Sequence, residues 1–203
     1  MQEQQSKQNQ QLKQEQLEKL YAECLNELLS IGINMKSKEY GEISIKIANR
    51  NNKRYGCCKQ EEPDKKYKTI KKIGRRKCIK YERFNKHTIE ISKWVMDLDE
   101  NIIKNTIMHE LIHCMPFCNN HGDMFKKYAN FINNSLGYDI SRLGNKKEDY
   151  EKSNIEYEEK AYKYAIKCTS CGKVLHRNRL NKDFFRKYRC LCNGKLTLLE
   201  KNE

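Results

Sequence analysis

The sequence predicts an α+β domain built on a small mixed sheet, followed by a small metal-stapled module. Three observations carry this. Apolar residues recur at helical spacing near the start and in the middle of the chain. Between those stretches isoleucines alternate with polar residues in the strand period. Histidines and cysteines then stand at ligand spacing in two places, one inside the middle helical stretch and one in the last forty residues or so. At 203 residues there is room for one ordinary domain and an appendage.

Composition narrows the class. Hydrophobic residues make up 37% and charged residues 33% of the chain, enough for a core but not a large one. Mean hydropathy is −0.98, and no run approaches the roughly eighteen apolar residues that span a bilayer. The opening "MQEQQSKQNQQLKQEQ" carries no apolar signal segment. The expectation is a cytoplasmic protein (nuclear in a eukaryote), not secreted, with no membrane partner and acting as a monomer. In a reducing compartment ten cysteines point to metal rather than disulfides. Cys24, Cys57, Cys58, Cys78, Cys114 and Cys118 lack ligand spacing and read as small hydrophobes. The net charge of +14 gathers in 65–80 and 176–189, as suits a polyanion, most often nucleic acid. The bland alternative is a general lysine-rich bias.

Taken in order, residues 1–17 form a Gln-rich tail, expected to be disordered or the frayed start of a helix. Leu17, Leu20, Cys24, Leu25, Leu28 and Leu29 then mark one helical face, ended by Gly32. Ile43, Ile45 and Ile47 alternate in a strand over 42–50. Residues 59–77 read as a basic loop, and 78–92 as two short strands around a polar turn at Asn85. Asp99 caps a helix over 100–114, stopped by Pro116, and a second runs from Asp123 to Leu136, ended by Gly137. Residues 145–162 form a charged, solvated linker helix. Residues 163–203 are too few for a core of their own and need a staple. The main domain is thus 18–144.

The middle helix carries His109-Glu110-x-x-His113. Residues four apart share one helical face, so both imidazoles can bind one zinc. Glu110 lies about 100° around the helix, unsuited to ligation but able to take the proton of an activated water. Apolar Ile107, Leu111 and Ile112 bury the helix beside them. A third ligand is required. A histidine six residues after the second, following a glycine, is excluded, since those positions hold Asn119 and Pro116. A later glutamate, Glu148 or Glu151, could serve in principle; the nearer candidate is His121, just past the Pro116 break and before Gly122.

In the last segment, Cys168 and Cys171 form a CxxC pair, and Cys190 and Cys192 a CxC pair. Together they suit a closed tetrahedral zinc, with His176 the alternative to Cys190. Between the pairs lie Arg177, Arg179, Lys182, Arg186, Lys187 and Arg189, with Phe184, Phe185 and Tyr188 interleaved. Cations for phosphates and rings for unstacked bases grip nucleic acid, so DNA, single-stranded or junction-containing, is the expected partner. One of Phe184 and Phe185 is expected to pack the little core instead.

These pieces together resemble the SprT-like zinc metalloproteases, which include the Spartan-related DNA–protein crosslink proteases. "RYGCC" (54–58) is similar to the family's small-residue strand turn, "HTIEIS" (87–92) to the strand before the active-site helix, and "MHELIH" (108–113) to the zinc helix. "HGDMF" (121–125) resembles the segment supplying the third ligand, and "CTSCGK" with "YRCLCNGKL" the zinc ribbon, although the second pair is CxC rather than CxxC. The resemblance implies a zincin-like metalloprotease domain followed by a zinc ribbon. It implies one catalytic zinc on His109, His113 and His121, Glu110 as base, and one structural zinc on the four cysteines. It makes 87–92 the edge strand that holds an extended substrate. The expected activity is hydrolysis of proteins bound or crosslinked to DNA. The rivals are a general zinc peptidase without a DNA partner and a non-catalytic zinc-containing DNA-binding protein.

Overall fold

The computed structural model describes residues 2–48, 53–61, 66, 68–74, 76–157 and 162–201. They divide into two compact units, 1–156 and 157–203. Among the described residues no helix is long and apolar enough to cross a membrane.

The first unit opens with α1, Gln2–Ser30. Of the two readings of the Gln-rich stretch, disorder or the start of a helix, the structure has the second, residues from Gln2 on forming the helix's opening turns. Gln11 and Gln14 donate to Glu15 and Glu18 one turn on, at 3.1 and 2.8 Å. Gln14 also accepts the backbone N–H of Ile47 at 3.1 Å, and Lys13 pairs with Asp97, so this end is tied to the domain. Further along, Leu17, Leu20, Cys24 and Leu28 form a fully buried stripe. Gly32 ends the helix at φ +85°, a left-handed conformation that favours glycine.

The main sheet has three strands, β1 (Glu42–Ala48), β2 (Gly56–Gln60) and β5 (Lys86–Ser92), in the order β1-β5-β2. β5 runs parallel to β1 and antiparallel to β2, pairing Ile89 with both Ile45 and Cys58. The expectation that 87–92 is an open edge is therefore corrected. Both backbone edges of β5 are taken, and among the described residues β1 and β2 are the strands that pair on one side only, β2 being the one that borders Glu110. The stretch expected as a basic loop is corrected as well. It completes β2 and then forms an antiparallel hairpin of β3 (Lys68–Ile73) and β4 (Arg76–Tyr81) turning at Gly74. β4 thus pairs with β3, not with β5. Residues 49–52, 62–65, 67 and 75 of these stretches lie outside the described residues.

Against this sheet packs α2 (Glu100–Ile112), and α3 (Asp123–Leu136) packs against α2. Asp99 caps α2, its carboxylate accepting from the N–H of Asn101 at 2.8 Å. Ile103, Ile107, Met108, Leu111 and Ile112 are fully buried, joining the α1 stripe, Ile89 and Ile91 in one core. Gly137 closes α3 in the left-handed region.

The charged stretch expected as a linker helix behaves differently. Among the described residues of 145–162 only α4, Lys146–Lys152, is helical, and it belongs to the first unit; residues 158–161 lie outside the described residues. Tyr150 stacks on Trp94 at 6.0 Å, Lys146 Nζ sits 3.8 Å above the same ring, and Tyr55 donates to Asp149 at 2.5 Å. A cation–aromatic contact and a shared hydrogen bond outweigh the low hydrophobicity that made the segment look solvated.

The second unit is a three-stranded antiparallel sheet, β7 (Val174–Arg177), β6 (Tyr164–Cys168) and β8 (Leu196–Lys201), with a single-turn α5 (Phe184–Lys187). Its core is small: Ile166, Leu196, Cys168 and Cys190, with Leu175, Leu180 and Phe184 against it.

Candidate metal centres

α2 runs into the first site. His109 and His113 stand one turn apart at its C-terminal end, His113 being the cap residue itself. Cys114 and Met115 tighten the exit with bonds back to Leu111 and Ile112; Pro116 follows, and Phe117 adopts φ +61°. The chain is thereby turned so that His121, just before α3, comes back over the helix. Asn120 fixes that return by accepting the N–H of Gly122 at 2.8 Å.

The three imidazoles converge through Nε2. The His121 nitrogen lies 2.9 Å from that of His109 and 3.2 Å from that of His113. The far side of two rings fixes the tautomer. His109 Nδ1 donates to the carbonyl of Ser141 at 3.0 Å, and His113 Nδ1 to that of Cys118 at 2.7 Å. A carbonyl only accepts, so in the neutral rings the converging nitrogens of His109 and His113 are bare lone pairs. Burial and the neighbouring rings push His109 down to about 4, and burial lowers His113. Burial also lowers His121, with the Arg142 guanidinium adding to the effect. Three neutral nitrogens crowded at these separations share too few protons to bond one another; a single cation satisfies all three. Phe125, fully buried, floors the site with its ring centroid 4.7–4.8 Å from each imidazole.

Glu110 stays out of this ligand set and lies beside it, against β2. Its carboxylate accepts a backbone hydrogen bond from Cys58. Burial pushes its carboxyl up to about 8, with the Cys58 thiol adding to the rise. The close approach depends on Gly56, where an added Cβ would meet the carboxylate oxygen at 2.9 Å. That is a physical reason for the glycine in "RYGCC". Glu110, all three histidines, β2 and the segment 139–146 line one open cleft. Glu148 faces the same cleft, but neither it nor Glu151 joins the histidine cluster.

In the second unit Cys168 lies 3.6 Å from Cys192, and Cys171 3.6 Å from Cys190. All four sulfurs fall within 4.8 Å of one another. His176 is not among them; it stacks on Tyr162 at 5.1 Å. Gly194 fits where a Cβ would meet Cys168 Sγ at 2.6 Å, and Asn193 adopts φ +64°, so the shortened CxC still wraps the site. The histidine and cysteine groups are each compatible with zinc. Of the two phenylalanines, Phe184 packs the core, while Phe185 and Tyr188 are exposed. Arg177, Arg179 and Lys182 are exposed. Arg186 and Lys187 pair with Asp183 at 3.1 and 3.6 Å, and Arg189 donates to the carbonyls of Phe185, Arg186 and Tyr188.

Three features carry no signal in the sequence: the carbonyls of Ser141 and Cys118, and a cluster of half-buried Cys58 with buried His87 and Cys114. Backbone carbonyls leave no trace in residue identity. The cluster lacks ligand spacing because its members come from three different elements.

The SprT-like family model matches residues 15–162. The chain therefore belongs to the SprT-like family, whose domain is of the zinc-metalloprotease type. No curated protein and no solved structure is significantly similar to it.

Proposed function

We propose that this SprT-like chain is a zinc-dependent endopeptidase that hydrolyses proteins held on DNA. The observation that carries the hydrolytic reading is the meeting, in one cleft, of three convergent lone pairs with a buried carboxyl that takes no part in ligation. Zinc bound by His109, His113 and His121 supplies Lewis-acid polarisation of the scissile carbonyl and lowers the pKa of water.

The chain's own residues do the rest. The Ser141 and Cys118 carbonyls hold two ligand rings in the tautomer that offers Nε2. Glu110 takes the proton of the attacking water and returns it to the leaving amine. Its apolar burial favours the protonated form, and positive charge placed beside it favours the carboxylate, so the group is poised to change state during turnover. Among the described residues the second edge of β2 pairs with no strand, and apart from the Cys58 N–H, which Glu110 accepts, it offers backbone donors and acceptors to an extended substrate.

The DNA component rests on charge. The first unit carries the Lys-rich β3–β4 hairpin. The second carries Arg177, Arg179 and Lys182, with no acidic partner among the described residues, near exposed Phe185 and Tyr188. A general peptidase without DNA is the second reading, favoured by the internal engagement of Arg186, Lys187 and Arg189. The test is cleavage of a DNA-bound protein with and without DNA, with a chelator arm. DNA-stimulated, chelator-sensitive cleavage supports the proposal. Chelator-sensitive cleavage indifferent to DNA leaves the general peptidase, and no cleavage under any condition removes the hydrolytic reading.

A further inference from the structure

Behind the wall of the cleft, three donor side chains meet that neither the histidine nor the cysteine centre uses. Cys58 comes from β2, His87 from β5 and Cys114 from the turn after α2. Cys58 Sγ lies 3.6 Å from His87 Nδ1 and 3.7 Å from Cys114 Sγ, and all three donor atoms fall within 4.8 Å of one another. His87 and Cys114 are buried; Cys58 is half-buried and lines the cleft.

These separations can be set against coordination geometry. Zinc bonds of about 2.3 Å to sulfur and about 2.0–2.1 Å to nitrogen set tetrahedral edges of about 3.8 Å between sulfurs and about 3.5–3.6 Å between sulfur and nitrogen. The cluster's 3.7 and 3.6 Å match both. The four-cysteine centre of the same chain supplies an internal standard, with its paired sulfurs 3.6 Å apart.

Packing agrees. His87 is almost wholly buried, yet its Nε2 has no hydrogen-bond partner, so its only polar engagement is Nδ1 toward sulfur. A thiol is a weak partner for a buried ring nitrogen, and a cation at Nδ1 would replace that weak contact with a bond, the ring proton then standing on Nε2. Two thiolates and a divalent cation sum to zero charge, the form in which such a group is least costly to bury. The neighbouring Cys57 turns the other way along the strand, toward Glu90 at 3.8 Å, so strand alternation selects Cys58 alone.

We propose that Cys58, His87 and Cys114 form a third metal site that takes a thiophilic divalent cation, zinc foremost, with its remaining coordination position turned to the cleft. Such an ion ties β2, β5 and α2 together at one point. Those elements carry Gly56, the strand that supports β2, and Glu110, so the ion fastens the edge strand to the helix bearing the acid–base group.

The test is metal stoichiometry of the full chain, by native mass spectrometry and elemental analysis. The expected count is three zincs in the parent and two in Cys58→Ser/Cys114→Ser. In the cobalt-substituted protein six thiolate ligands fall to four, so thiolate-to-cobalt absorption should drop by about one-third. A second readout needs no variant. In the parent, Cys58 should resist alkylation until a chelator is added, while Cys57 reacts independently of the chelator. Two zincs in the parent, an unchanged count in the double variant, or a Cys58–Cys114 disulfide in the purified protein would each overturn the site. Because cleavage is not the readout, failure here is distinguishable from failure of the peptidase reading.

Discussion

The histidines of the first unit are carried by a helix that the core already holds and by the turn after it, whereas two of the four cysteines of the second, Cys168 and Cys190, are themselves half of its small buried core. Ile103, Ile107, Leu111 and Ile112 anchor α2 among some twenty buried hydrophobic residues. In the second unit the buried cluster among the described residues is Ile166 and Leu196 beside Cys168 and Cys190, with Ala165 buried as well. The first site leaves one side open to a cleft and keeps a carboxyl beside it; the second is enclosed by sulfur on all four corners. The difference teaches how to sort the two: a metal that the fold can do without is free to serve chemistry, and one that replaces a core is committed to structure.

The largest effect should come from removing the cysteine staple. Cys168→Ser/Cys171→Ser should abolish amide protection in β6, β7 and β8, while the first unit keeps its protection and still cleaves an unfolded peptide. Hydrogen exchange read unit by unit checks this, and loss of protection throughout α2 would break the contrast. Next is His121→Ala, which should weaken metal binding at the histidine centre by roughly 100-fold or more and hydrolysis with it, leaving the melting of the first unit little changed. Zinc titration and calorimetry on the same sample decide.

A subtler perturbation sharpens the account of Glu110. Gly56→Ala places a methyl 2.9 Å from its carboxylate, so the side chain or β2 must shift. We expect kcat/KM to fall about 10-fold, equivalent to about 1.4 kcal/mol, with metal content intact. The smallest effect belongs to DNA. Arg177, Arg179, Arg186 and Arg189 changed together to Ala should lower affinity across sequences. The salt dependence should flatten by about 0.9 for each phosphate no longer neutralised. Arg189 should contribute least, because its guanidinium is already engaged by backbone carbonyls. Equal binding by the parent and this variant would remove the ribbon from the DNA reading.

Much of the histidine centre was legible in the sequence because its signals are local. The four-residue spacing of His109 and His113, the break at Pro116, and His121 before Gly122 all lie within one short stretch. Caps read equally well, since Asp99 and Gly137 act on their own helices. What escaped was non-local. That β5 is central rather than an edge follows from pairing with β1 and β2, which no single strand encodes. The hairpin at 68–81 was hidden by its lysines, whose charge suggested a loop although Ile70 and Gly74 marked a strand and its turn. α4 looked solvated because its anchors, Trp94 and Tyr55, lie far off in sequence.

The central claim is that Glu110 moves protons and does not hold metal. Glu110→Gln tests it most directly, with zinc content and hydrolysis of an unfolded peptide measured on the same preparation. The account predicts unchanged zinc and a loss of about 10²–10⁴-fold in kcat. Near-parental hydrolysis, or zinc lost from the histidine centre, would contradict it.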